Sequence, residues 1–207
     1  LRTDPALPID APNNLVIRAA HLLGAAAAFP GGAILTLRKR IPIAAGLGGG
    51  SADAAATLVG LRRLWGLRAP LFPLAEQLGS DVPYFLGAAT ALVRGRGETL
   101  SALPPMTGRP VVLLRPPVAL FTRDVFAALR PEEWTDGAAT LALGEALRQR
   151  RAPSADLLRN TLLGAAERCC PPLRALRRDL AEHGIQAHLS GSGPTLFVFA
   201  DTRAVAT

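Results

Sequence analysis

The chain has 207 residues, 23 Lys+Arg against 16 Asp+Glu and a formal net charge of +7, and its 49% hydrophobic content excludes a disordered or charged low-complexity protein. At this length one or two packed domains are expected. The basic balance gives a generic pull on phosphate, but with aromatics at only 5% there are few platforms on which nucleic-acid bases could stack, so no nucleic-acid partner is expected.

Residues 15–29 carry a helical apolar pattern that Pro30-Gly31-Gly32 stops. Residues 33–40 alternate like a strand and contain Lys39, the single lysine of the chain. From Ile41 to Ser51 the chain is too rich in glycine for regular structure. The nearly uncharged stretch 41–61 is long enough for a membrane span, but its glycines, Ser51 and Asp53 are residues a lipid-facing helix avoids, so no membrane partner is expected. Residues 52–65 predict a strong helix with Ala55, Leu58, Leu61, Leu64 and Trp65 on one stripe. A short helix is predicted over 71–78, then a turn from Gly79 through Phe85, then a strand over 88–94 that ends in Gly95-Arg96-Gly97.

The Pro- and Gly-rich stretch 104–110 is the predicted linker, dividing the chain into residues 1–105 and 106–207. Beyond it, 111–114 predict a strand, and 124–129, 141–150, 156–169 and 174–183 predict helices. Cys169 and Cys170 are adjacent, poorly placed to bridge one another and without metal-ligand spacing; reduced thiols are expected, which fits a cytoplasmic location. Residues 185–189 and 195–200 predict two strands joined by the turn Ser190-Gly191-Ser192-Gly193-Pro194. This mixture of helices and strands places the chain in the α/β or α+β class.

Three places carry candidate chemistry. The glycines from Gly46 to Gly50 run into a predicted helix, where backbone amides and the positive end of the helix dipole make a seat for phosphate. Ser51 can cap that helix or offer its hydroxyl to a phosphate or its magnesium ion. The same residues also fit a flexible, well-capped connection. Asp81, in Leu78-Gly79-Ser80-Asp81-Val82-Pro83, fits a carboxylate that takes a proton from a substrate hydroxyl, or an N-cap or Asx-turn residue. Ser190-Gly191-Ser192-Gly193 fits an amide nest for an anion, or a plain strand connection. His21, His183 and His188 are scattered, and no metal site of protein side chains is expected.

These segments, in this order, resemble the GHMP kinase superfamily, and within it the branch that phosphorylates 4-diphosphocytidyl-2-C-methyl-D-erythritol. The resemblance is carried by the Asn14-Leu15-Val16-Ile17-Arg18-Ala19-Ala20 segment, the stretch from Ile41-Pro42 through the glycine loop to Ala52-Asp53-Ala54-Ala55, Leu64-Trp65, and the Leu78-Gly79-Ser80-Asp81-Val82-Pro83-Tyr84-Phe85 segment. Gly95-Arg96-Gly97-Glu98 and Ser190-Gly191-Ser192-Gly193-Pro194-Thr195 complete it. It implies two domains, a ribosomal-protein-S5-domain-2-like N-terminal part and a ferredoxin-like C-terminal part, with ATP and Mg2+ as cofactors. It further implies ATP-dependent phosphorylation of the 2-hydroxyl of diphosphocytidyl methylerythritol, in the non-mevalonate route to isoprenoid precursors. By the same resemblance Pro42, Ile43, Ala44, Ala45, Gly46, Leu47, Gly48, Gly49, Gly50, Ser51 and Ala52 wrap the ATP phosphates, Asp81 is the general base, and Ser190, Gly191, Ser192 and Gly193 form a turn near the phosphates.

Two departures stand out. Ala52 occupies the place of the family's second serine, and the family's opening Lys-x-Asn-Leu and Asp-Gly-Tyr-His segments have no counterpart. The expectation is a chain lacking the family's N-terminal portion and binding ATP weakly. The alternatives are another GHMP kinase, of homoserine or mevalonate type, and an inactive fragment or non-catalytic polyanion-binding module.

Overall fold

Apolar residues at helical spacing build the first of two units in the computed structural model, which describes residues 1–4, 11–87 and 89–200. That unit comprises Leu1–Pro42 and Gly48–Leu103; the other comprises Ile43–Leu47 and Pro104–Thr207. In the first unit, α1 (Leu15–Ala26) begins where Asn14 Oδ1 accepts the Val16 amide at 2.9 Å, a side-chain cap that satisfies one of the helix's unpaired N–H groups. It buries Val16, Ala19 and Leu23. These face α2 (Gly49–Leu64), whose Ala54, Ala55, Leu58 and Leu61 are buried in turn, the two alanines permitting close approach. Leu74, Ala75 and Leu78 of α3 (Phe72–Leu78) and Val82 of α4 (Val82–Leu86) close this core. Trp65 follows α2 and stacks on Phe29 with ring centroids 4.5 Å apart.

Two small sheets flank these helices in sequence. β1 (Arg2–Asp4) pairs in parallel with β2 (Thr36–Arg38), and β3 (Ala91–Arg94) forms an antiparallel hairpin with β4 (Thr99–Ala102). The second unit is built on a three-stranded antiparallel sheet. Its order is β5 (Val111–Leu114), β7 (Leu196–Phe199), β6 (His188–Leu189), with Leu189 opposite Leu196. Its helices are α5 (Thr122–Ala127), α6 (Ala138–Arg148), α7 (Leu163–Cys169) and α8 (Pro171–Glu182). Val125, Leu173 and Leu196 are fully buried there with Ala165, Ala166 and Leu189. Cys169 and Cys170 are free thiols, the first exposed and the second in this core.

Several expectations are corrected. α2 begins at Gly49 rather than Ala52, because Gly48 at φ 65° turns the chain directly into the helix; Ser51 therefore lies inside the first turn and is not its cap. Leu64 leaves the buried stripe and is exposed, whereas Trp65 takes up the aromatic contact. The stretch read as a turn through Phe85 is helical from Val82, where Pro83 supplies a preset φ in the first turn. The strand read over 33–40 is confined to Thr36–Arg38; that read over 88–94 is seen from Ala91, Ala88 lying outside the described residues. The helix read over 156–169 is broken: a 3-10 turn at Ala155–Leu157 precedes α7, and Asn160 between them spends its side chain on distant backbone.

Candidate functional site

Ile43–Leu47 belongs with the second unit, and Gly48 onward with the first. Within the second unit this segment rests on the turn between β6 and β7. A Cβ on Gly46, whose φ is 70°, would stand 2.5 Å from the Ser190 carbonyl oxygen and 2.8 Å from the Gly193 amide nitrogen, so only glycine permits this approach. Ser190 Oγ donates to the Gly46 carbonyl at 2.8 Å. The turn itself is closed by the Ser190 amide donating to Thr195 O at 3.0 Å and the Gly193 amide to Ser190 O at 2.9 Å. Ser192 and Thr122 share a hydroxyl hydrogen bond of 2.8 Å, and Thr195 Oγ1 is buried with no protein partner among the described residues. The predicted turn residues and the predicted loop residue Gly46 thus meet.

Within the first unit Gly48, Gly49, Gly50 and Ser51 form the head of α2. The amide of Ala52 is the first to bond back into the helix, to Gly48 O at 2.9 Å. The amides of Gly49, Gly50 and Ser51 have no partner inside the helix and lie at its positive end. Gly49 is buried beneath the incoming chain: a Cβ there would stand 2.7 Å from Ile41 Cγ2 and 3.1 Å from Lys39 Nζ. Lys39, its side chain 10% exposed, forms an ion pair with Asp53. An ammonium beside the positive end of a helix is electrostatically unfavourable, and Asp53 in the second turn offsets it.

Asp81 sits at the head of α4, exposed, with φ −90° and ψ −13°, and its side chain makes no capping bond. An Asx turn would need an N–H on residue 83, which is Pro83. Among the described residues the carboxylate has no hydrogen-bonding or ionic partner, so Asp81 holds the N-cap position of α4 without a side-chain capping bond. Its position is held on two sides. The ring of Phe85, one turn along α4, packs against Gly48, where a Cβ would stand 2.9 Å from Cζ. The β3–β4 turn presses on its neighbour: a Cβ on Gly97, with φ 118°, would stand 1.9 Å from the Ser80 carbonyl oxygen. The helix headed by Asp81 therefore leans on the residue that starts α2.

Sequence reasoning missed Lys39 with Asp53, Phe85 and Asn160 as parts of this architecture. A lone lysine just ahead of a glycine loop was a usable signal for the first. Asn160 gave none, since its partners are far along the chain. Arg94 and Arg96 are exposed, and no group of three His, Cys, Asp or Glu able to hold a metal occurs among the described residues.

Residues 14–88 match the family described as GHMP kinases N terminal domain, and residues 141–207 that described as GHMP kinases C terminal. The 4-diphosphocytidyl-2-C-methyl-D-erythritol kinase of Pelotomaculum thermopropionicum is 44% identical over 189 residues, a match covering 89% of this chain and 66% of that protein. The chain thus spans just under two thirds of that relative's length. A crystal structure of 4-(cytidine 5'-diphospho)-2C-methyl-D-erythritol kinase superposes with a TM-score of 0.75 at 38% identity, covering 97% of this chain and 72% of that one. Homoserine kinase from Cytophaga hutchinsonii superposes equally well, TM-score 0.75 over 99% of this chain and 74% of that one; at 20% identity this is a likeness of fold alone. No helix among the described residues is long and apolar enough to cross a membrane.

Proposed function

The chain belongs to the GHMP kinase family, and on that premise we propose that it transfers the γ-phosphoryl group of ATP to the 2-hydroxyl of 4-diphosphocytidyl-2-C-methyl-D-erythritol. The substrate is taken from the names of the relatives at 44% and 38% identity. The observation that carries the chemistry is the unclaimed carboxylate of Asp81, one helical turn from the ring that packs on Gly48.

ATP and magnesium fit the residues present. Free amides at Gly49, Gly50 and Ser51 offer donors to phosphate oxygens, and the Ser190–Gly193 turn supports the loop that leads to them. Ser51, in the first turn of α2 beside these amides, would offer its Oγ to a magnesium ion carried by the nucleotide. Bound, it neutralises phosphate charge. Phosphoryl transfer needs positioning and charge stabilisation above all, so the task left to this chain is modest. The glycine-loop amides hold the nucleotide's negative end, and the Asp81 carboxylate accepts the hydroxyl proton as the substrate oxygen bonds to phosphorus and ADP leaves. A cytoplasmic location belongs to the same proposal, supported by the free thiols of Cys169 and Cys170.

The test is Asp81→Asn in the product of the gene's full reading frame, assayed for ATP-dependent phosphorylation beside calorimetric ATP binding. Turnover should fall by a factor of about 10³ while ATP affinity stays within about threefold. A variant that keeps a tenth of the native turnover removes Asp81 from the role, and a native protein that phosphorylates homoserine or mevalonate instead overturns the substrate.

A further inference from the structure

We infer that Asn160 is a positioning residue for the phosphate-binding loop, acting through the turn on which Gly46 rests; this stands on the nucleotide-binding reading above. The carboxamide of Asn160 is fully used. Its Nδ2 donates to Leu189 O at 3.0 Å and to Gly191 O at 2.8 Å, and its Oδ1 accepts the amide of Leu162 at 2.9 Å. The two carbonyls it grips lie on either side of Ser190, so the amide straddles that residue and fixes the backbone planes around it. Ser190 Oγ in turn donates to Gly46 O, and Gly46 lies against the Ser190 and Gly193 backbone too closely for any side chain. His188 Nδ1 lies 3.1 Å from Leu158 O, tying the same two stretches a second time.

Asn160 lies in the non-helical stretch between the 3-10 turn Ala155–Leu157 and α7, where its Oδ1 serves the Leu162 amide just ahead of the helix. Its Nδ2 reaches across 29 to 31 positions of sequence to the turn. Two neutral hydrogen bonds to backbone carbonyls are what the Asn160 side chain itself gives the turn, and an isosteric change can reverse them.

Asn160→Asp keeps the shape and the acceptor but turns a charged oxygen toward two carbonyls, and Ser190→Ala removes the next link. Magnesium-ATP binding is measured by isothermal titration calorimetry on the native protein and each variant, with thermal melts run in parallel. Asn160→Asp should weaken ATP about tenfold and Ser190→Ala about threefold, and the double variant should bind no more weakly than Asn160→Asp alone, because both act on one chain of contacts. A lowered Tm with ATP affinity unchanged within twofold marks a merely structural residue and overturns the inference, as does full additivity. Should Asn160→Asp show no cooperative melt, Ser190→Ala decides by the same criterion. A native protein that binds no ATP sinks the functional reading itself, whereas variants that bind as the native does sink only the role of Asn160.

Discussion

Gly97 shows how much of the site depends on single backbone positions. It is buried, its φ of 118° is open to glycine and strained for other residues, and a Cβ would meet Ser80 O at 1.9 Å and Ser80 C at 2.7 Å. Both are backbone atoms, so relief requires moving the residue next to Asp81. Gly97→Ala should cost about 2–4 kcal/mol and reduce turnover more than ATP affinity. Gly95, with φ 67°, is the control two residues away. Its added Cβ would stand 1.8 Å from Glu98 Oε1, the far end of an exposed side chain that can swing aside by giving up the hydrogen bond it accepts from the Arg96 amide at 2.6 Å. Gly95→Ala should cost only about 1 kcal/mol, and equal losses for the two variants in denaturant melts, or an unchanged turnover in Gly97→Ala, would contradict this account.

Among the elements, α2 carries the clearest test because its head combines glycines, a lysine and an acid. Removing either partner of the Lys39–Asp53 pair is not symmetrical. Lys39→Met leaves Asp53, 27% exposed, near the positive end of the helix, where a carboxylate is favoured; the cost should be about 1 kcal/mol. Asp53→Asn leaves an ammonium 10% exposed beside that same end, and the cost should reach about 3 kcal/mol. The double variant should lie near the smaller value, and equal costs for the single variants in urea titrations would sink the dipole argument. The same helix shows what was legible in the sequence. Ala55, Leu58 and Leu61 could be read as core from spacing, since a helix period is a local property. Its start could not, because it depends on the left-handed φ of 65° that Gly48 adopts, a conformation that no apolar period signals. α4 escaped for a similar reason: five residues around a proline carry no period, and it is packing on Gly48 and on the α2 core that makes them helical. Of the candidate site, the loop, Asp81 and the Ser190 turn stand out in the sequence as motifs, whereas Asn160 and Phe85 make contacts with residues distant in sequence, which no local pattern signals.

For the molecule as a whole, charge sets the response to acid. With a net charge of +7 at neutral pH, the chain becomes more positive as its carboxylates protonate, and self-repulsion grows. One carboxylate adds a specific effect. Glu133 receives both Arg168 nitrogens, Nη1 at 2.8 Å and Nη2 at 2.6 Å, and the Arg130 amide at 2.8 Å, while Arg168 Nη2 also donates to Ala128 O at 2.7 Å. The hydrogen bonds from Arg168, then that from the Arg130 backbone, lower the Glu133 pKa from 4.5 to about 2. The unfolded chain thus binds a proton at this site between pH 4.5 and 2 that the folded chain does not, so stability falls as pH drops through that window. These bonds join the stretch after α5 to α7, both in the second unit. Glu133→Gln should therefore lower Tm at pH 6, with the gap to the native protein narrowing from about pH 4.5 and closing near pH 2. Circular-dichroism melts across that range measure it. A gap of constant size down to pH 2 would mean that Glu133 contributes through packing alone, and a variant as stable as the native protein at pH 6 would mean that the bidentate contact contributes nothing.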